Sequence, residues 1–136
     1  MLTLTFIFVI FCSILTAPPS GGLTVFVTEP ARPYERIIHA IGMVETRLDT
    51  LAYNPEEQAV GFFQARIIRV RDYNQRTGDT LTLMDMYNYQ KAKKVFMHYA
   101  VQFRYDDYEG ISKDWNKSTT NRYWNKVKAQ LYGETN

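Results

Sequence analysis

Between Glu35 and Leu48, apolar side chains at Ile37, Ile38, Ile41, Val44 and Leu48 recur at the spacings that share one face of a helix. A helix is therefore predicted from about Tyr34 to Arg47, with Pro33 suited to its first turn. Glu45 breaks the pattern. It falls in the apolar stripe, whereas Glu35, Arg36, His39 and Arg47 lie elsewhere on the wheel.

The next segment, "DTLAYNPEEQAVG", is rich in turn formers and follows neither period, so a loop or a small irregular hairpin is expected. A second helix is expected over Ile67 to Arg76, stopping at Gly78. Thr82 and Asp85 have capping-box spacing ahead of the longest periodic stretch. There Tyr89, Ala92, Val95, Phe96, Tyr99, Ala100 and Phe103 mark a central core helix. Tyr108, Ile111 and Trp115 outline a shorter helix, and Tyr123, Val127 and Leu131 a last one begun near Thr119 or Thr120. The fold class expected is mainly α, with a small irregular or β-hairpin region after the helix that carries Glu45.

Composition adds a boundary. No charged residue precedes Glu29, and "LTLTFIFVIFCSILTA" is an apolar run followed by the breaker-rich "PPSGG". Residues 1–22 are expected to be an export signal, or an N-terminal anchor, with a spacer; residues 23–136 form one domain. Exported localisation follows, in the periplasm, cell envelope or outside the cell, with membrane attachment only through an uncleaved N-terminal segment. The single cysteine, Cys12, lies in this segment, so its removal leaves no thiol for a disulfide, a nucleophile or a metal site. A net charge of +2 is too small to point to nucleic acid, and Lys91, Lys93 and Lys94 fit a solvated helix face.

The chemistry centres on Glu45. A carboxyl facing an apolar interior loses hydration, so its neutral form is favoured and it can hold a proton near neutral pH. A general acid that protonates a leaving oxygen needs that property. The plain alternative is a helix-end glutamate that turns outward or pairs with Arg47 or Arg66. Further along, "AVGFFQ" offers Gly61, which permits a tight backbone path, and Gln64, whose amide both donates and accepts hydrogen bonds. "DWNKS" and "NRYWNKV" bring Trp115, Asn116, Tyr123 and Trp124 close in sequence. Rings with amides suit a sugar, whose apolar face is covered by the ring and whose edges are read by the amide.

In this order the motifs resemble the lysozyme-like superfamily, specifically the soluble lytic transglycosylase type, over about Tyr34 to Leu131. That pattern has a helix ending in Glu-Ser, then Gly-Leu-Met-Gln, a long helix, Ala-Tyr-Asn-Ala-Gly and a closing tyrosine. Here stand Glu45-Thr46, Gly61-Phe62-Phe63-Gln64, Asp114-Trp115-Asn116-Lys117-Ser118 and Tyr123. The chain is also similar to small exported proteins of this type from Bacteroidota and their phages, which often carry "AVG..Q", "DYN..TG" and "YWNKVK". The resemblance implies a lysozyme-like helical domain that cuts the bond between N-acetylmuramic acid and N-acetylglucosamine in peptidoglycan. Glu45 would be the catalytic acid, then the base, and the product a 1,6-anhydro sugar. Thr46, Gly61, Phe63, Gln64, Trp115, Asn116 and Tyr123 would bind substrate. Three departures stand out: Thr46 for serine, Lys117 and Ser118 for the glycine-containing end of the third motif, and Ala65 and Ile67 for the Ile and Pro common after the glutamine.

A hydrolytic lysozyme would more often use a second carboxylate, for which Asp49, Glu57, Asp72 and Asp85 are candidates. His39 and His98 lack ligand spacing and are expected to be structural; no metal or other cofactor is implied. The expected partner is the peptidoglycan glycan strand, with no nucleic acid, and the expected state a monomer. A second function class stays open: a non-catalytic lysozyme-fold protein that binds glycan, or an accessory factor of the envelope or of secretion.

Overall fold

The structure, a computed structural model, describes residues 32–133. The export segment, Cys12 and most of the extended lead-in lie outside the described residues. In chain order the elements are α1 (Glu35–Thr46), β1 (Tyr53–Asn54), β2 (Ala59–Val60), α2 (Ile67–Thr77), a 3-10 helix (Leu83–Tyr87), α3 (Tyr89–Ala100), α4 (Tyr108–Asn116) and α5 (Arg122–Tyr132). The described chain is thus mainly helical with one two-stranded antiparallel hairpin, in which Tyr53 faces Val60 and Asn54 faces Ala59. Helix α1 packs on α5, α5 on α4, α4 on α3 and α3 on α2, while β2 rests against the 3-10 helix.

Helix α1 buries Ile37, Ile38, Ala40, Ile41 and Gly42, the face that its periodicity marks. Leu48 leaves that face. The helix stops at Thr46, and Arg47 and Leu48 both take left-handed backbone, at φ 56° and 70°. The amide of Leu48 then bonds back to the Gly42 carbonyl at 3.1 Å, which turns its side chain outward to 38% exposure. Gly42 has a packing role of its own. A Cβ there would fall 2.2 Å from the Phe62 ring, so only glycine lets that ring lie against the helix, one turn ahead of Glu45.

The capping box forms between Thr82 and Asp85, but it opens the 3-10 helix; α3 has its own cap, with the Asn88 side chain accepting from the Lys91 amide at 3.1 Å. Phe103 lies beyond the end of α3 and is half-buried. Helix α5 starts at Arg122, after an Asn121 cap, two or three residues later than the threonines predict.

At the centre of the core, Phe63 stacks on Phe96 at 4.6 Å between ring centroids and meets the edge of Trp115 at 6.0 Å. The Trp115 indole N–H donates to the Phe63 carbonyl at 3.0 Å, which satisfies a buried donor and ties α4 to the segment after the hairpin. Truncating Phe63 to alanine would cost about 3–5 kcal/mol through lost burial and the cavity left behind. This cluster holds Gln64 and Asn116, the chain neighbours of Phe63 and Trp115, relative to one another.

Candidate functional site

Glu45 sits one residue before the end of α1, where the helix carries its carboxyl off the core and into a small cavity. Across from it, α5 presents Tyr123, whose hydroxyl donates to Glu45 Oε1 at 2.7 Å. Burial pushes the Glu45 carboxyl up to about 7; nearby Glu57 acts in the same direction, while the Tyr123 hydrogen bond and the charges of Arg66 and Lys126 oppose the shift. Burial also pushes the Tyr123 hydroxyl well above its usual range, so it stays protonated as a donor. The carboxyl is therefore poised to hold or release a proton near neutral pH.

The cavity, about 20 Å³, is lined by Glu45, Glu57, Gln64, Arg66, Arg69, Trp115 and Asn116. It has room for about one water-sized group. Gln64 enters it on a left-handed backbone, φ 48°, with its side-chain amide donating to the Gly61 carbonyl at 3.1 Å. Five non-glycine residues among those described have left-handed φ: Arg47, Leu48, Gln58, Gln64 and Lys117. Each lies within three residues of a side chain that lines this cavity, and strained backbone of this kind gathers where a site over-determines its own geometry. Lys117 closes α4 at φ 55°, so the conformation that glycine would favour persists without glycine.

Of the residues expected to bind a substrate, the structure brings Gln64, Trp115 and Asn116 to the cavity with Glu45, and joins Tyr123 to Glu45 directly. Three are placed elsewhere. Phe63 is 0% exposed, so its ring cannot touch a ligand; it is core. Gly61 is needed for packing: at φ 72°, a Cβ there would fall 2.1 Å from the Met86 carbonyl oxygen. The Thr46 hydroxyl reaches the carbonyls of Gly42 and Phe62 at 3.3 and 3.2 Å, pinning the end of α1 to the turn after the hairpin.

Glu45 does not take Arg47 or Arg66 as its hydrogen-bonding partner; Arg66 pairs loosely with Glu57 at 3.7 Å. Among the four carboxylates proposed as a second acid or base, Glu57 alone shares the cavity. Asp49 accepts from the Leu51 amide, Asp85 is held by Thr82 and Lys91, and Asp72 binds Arg76 and the Tyr99 hydroxyl. His39 is exposed, and His98 lies edge-on to Tyr73 and Tyr99. Arg69 was not expected at the site. It is 9% exposed, with its guanidinium 4.4 Å from the Tyr99 ring centre and donating to the Trp115 carbonyl at 3.0 Å. The sign was present in sequence, since Arg69 falls beside Val70 and Tyr73 on the buried side of α2, as Glu45 does on α1.

The described residues thus form a mainly helical protein in which a carboxyl raised by burial, that of Glu45, lines a small cavity. No family model, curated protein or solved structure matches the chain.

Proposed function

We propose that this protein is an exported enzyme with a lysozyme-like fold that cleaves the glycan strands of peptidoglycan as a lytic transglycosylase. The observation that carries this reading is Glu45: a carboxyl raised to about 7 by burial, oriented by Tyr123, in a cavity that Gln64 and Asn116 also line. Protonated Glu45 gives its proton to the glycosidic oxygen as the bond to C1 of N-acetylmuramic acid breaks, and the substrate's acetamide oxygen supports the positive charge at C1. The Glu45 carboxylate then takes the proton of the 6-hydroxyl as that oxygen bonds to C1. A 1,6-anhydro sugar results, and Glu45 is again protonated. Digesting purified peptidoglycan with the full chain and reading the muropeptides by mass spectrometry tests this; an undegraded sacculus refutes it.

A second reading, glycan or envelope-protein binding without cleavage, is favoured by the narrowness of the cavity at Glu45. Room for a sugar requires movement of side chains there. Glu57 and Arg66 are the side chains suited to that, being 59% and 40% exposed and 3.7 Å apart. Retention on peptidoglycan without release of muropeptides supports this second reading.

A further inference from the structure

Helices α1, α2, α3 and α5 each close with the amide of the C-cap residue bonded back to a carbonyl of the last turn. Among the described residues, α4 closes without such a bond: Lys117 turns the chain at φ 55°, and its amide does not return to the helix. The last carbonyls of a helix have no partner within it and must find one elsewhere. Here the partner comes from α2. Arg69 Nη2 donates to the carbonyls of Asp114 and Trp115, the latter at 3.0 Å, and Arg69 Nη1 lies 3.5 Å from Asp114 Oδ2.

Arg69 is itself held on several sides. Its side chain is 10% exposed, its guanidinium lies 4.4 Å from the Tyr99 ring centre and 5.2 Å from that of Trp115, and the Tyr99 hydroxyl reaches the Arg69 carbonyl at 3.1 Å. Positive charge at a helix C-terminus is favourable, and a planar fork reaches two carbonyls and a carboxylate at once, which the single ammonium of a lysine does not. The Trp115 carbonyl belongs to the peptide that leads into Asn116, and the Trp115 indole is anchored separately on the Phe63 carbonyl at 3.0 Å. Backbone and ring of Trp115 are thus fixed by different elements, and the position of Asn116 follows from both. Arg69 and Asn116 both line the cavity at Glu45.

We infer that Arg69 is a positioning residue of the glycan-cleaving site: by capping α4 from α2, it holds Asn116 at the cavity and limits the water around Glu45. The inference rests on the glycan-cleaving reading. Arg69 needs no contact with the sugar, because it acts through the Trp115–Asn116 peptide. A wall that loosens at the end of α4 admits water to the Glu45 carboxyl and moves the Asn116 amide, and a displacement of about 1 Å can lower a rate on the order of 10²-fold.

The test compares the full chain with Arg69→Lys, which keeps the charge and loses the fork, and with Arg69→Ala supplied with millimolar guanidinium chloride. The Glu45 carboxyl is followed by carbon-13 NMR as pH is varied, and muropeptide release is measured beside it. Glu57, Arg66, Lys126 and Tyr123, the groups that act on Glu45 besides burial, are unaltered in both variants. In Arg69→Lys the Glu45 midpoint should fall from about 7 towards the ordinary 4.5 as water reaches it, and release should drop roughly 10- to 100-fold. Guanidinium chloride, but not sodium chloride at the same concentration, should restore both in Arg69→Ala; if that variant does not fold, Arg69→Lys decides alone. An earlier melt with a parent-like midpoint, or with parent-like release, would make Arg69 a stability residue only and overturn the inference. So would failure of guanidinium to restore a folded Arg69→Ala. A parent that digests nothing counts against the cleavage reading alone, and the midpoint in Arg69→Lys still decides whether Arg69 holds the space around Glu45. Equal digestion by parent and variants counts against this inference alone.

Discussion

The Tyr123 hydroxyl stands 2.7 Å from Glu45 Oε1, joining α5 to the end of α1 across 78 positions of sequence. It works against burial: burial favours the neutral carboxyl, while the hydroxyl, as a donor, favours the charged one, and burial is the larger influence.

Glu45→Gln keeps the shape of the side chain and removes its proton. Release of muropeptides should fall by on the order of 10²-fold or more, the scale of general acid catalysis, with an unchanged circular dichroism spectrum. Parent-like digestion by this variant would show that Glu45 is not the acid.

The same carboxyl makes stability depend on pH. Its folded value, about 7, lies above the ordinary 4.5, so its favourable contribution is complete below 4.5 and is lost as pH rises through 7. The parent should lose on the order of 3 kcal/mol between those limits, because each tenfold change in proton affinity is worth about 1.4 kcal/mol. Denaturant unfolding at pH 4 and pH 8 should show this fall in the parent and a flatter response in Glu45→Gln, which should be the more stable of the two at pH 8. Matching slopes in both proteins would mean that the Glu45 carboxyl is solvated. Digestion should also decline above pH 7, where the acid has lost its proton.

Tyr123→Phe removes the hydrogen bond that holds Glu45 down. The alkaline limb of the activity profile should move to higher pH, and the maximal rate should drop roughly 10- to 100-fold, the equivalent of about 1.5–3 kcal/mol for a hydrogen bond to a charged group. A rate loss with an unmoved limb would make Tyr123 a packing residue only.

Glu57 decides the product if it acts at all. The expected product is the 1,6-anhydromuropeptide, lighter by one water than a reducing-end fragment, and Glu57→Gln should preserve it if, as proposed, Glu45 serves both steps. If the parent yields only reducing ends and Glu57→Gln stops their release, Glu57 activates a water and the enzyme is hydrolytic.

Gly61→Ala should destabilise the fold by about 2–5 kcal/mol, read from denaturant midpoints, because left-handed backbone and contact with the Met86 carbonyl both oppose a Cβ. A near-neutral effect would mean that the turn before Gln64 relaxes easily.

Local pattern determined a good deal. Helical periodicity marked α1, α3, α4 and α5, Gly78 marked the stop of α2, and turn formers marked a loop or hairpin between α1 and α2, because each depends on neighbours within a turn or two. Glu45 was also legible, as a charge among isoleucines on a helix face. Tertiary structure decided the rest. Whether Glu45 would meet Arg47, Arg66 or Tyr123 depended on how α5 crosses α1, which no local spacing encodes. Phe62 and Phe63 both enter the core, one against Gly42 and the other on Phe96, so neither ring was left for a ligand. Leu48 lost its place on the stripe because Arg47 ended the helix in a left-handed turn, and Arg69 gained its role only when α4 brought Asp114 and Trp115 to it. Periodicity fixes which face of a helix is buried; the cavity exists only where distant faces meet.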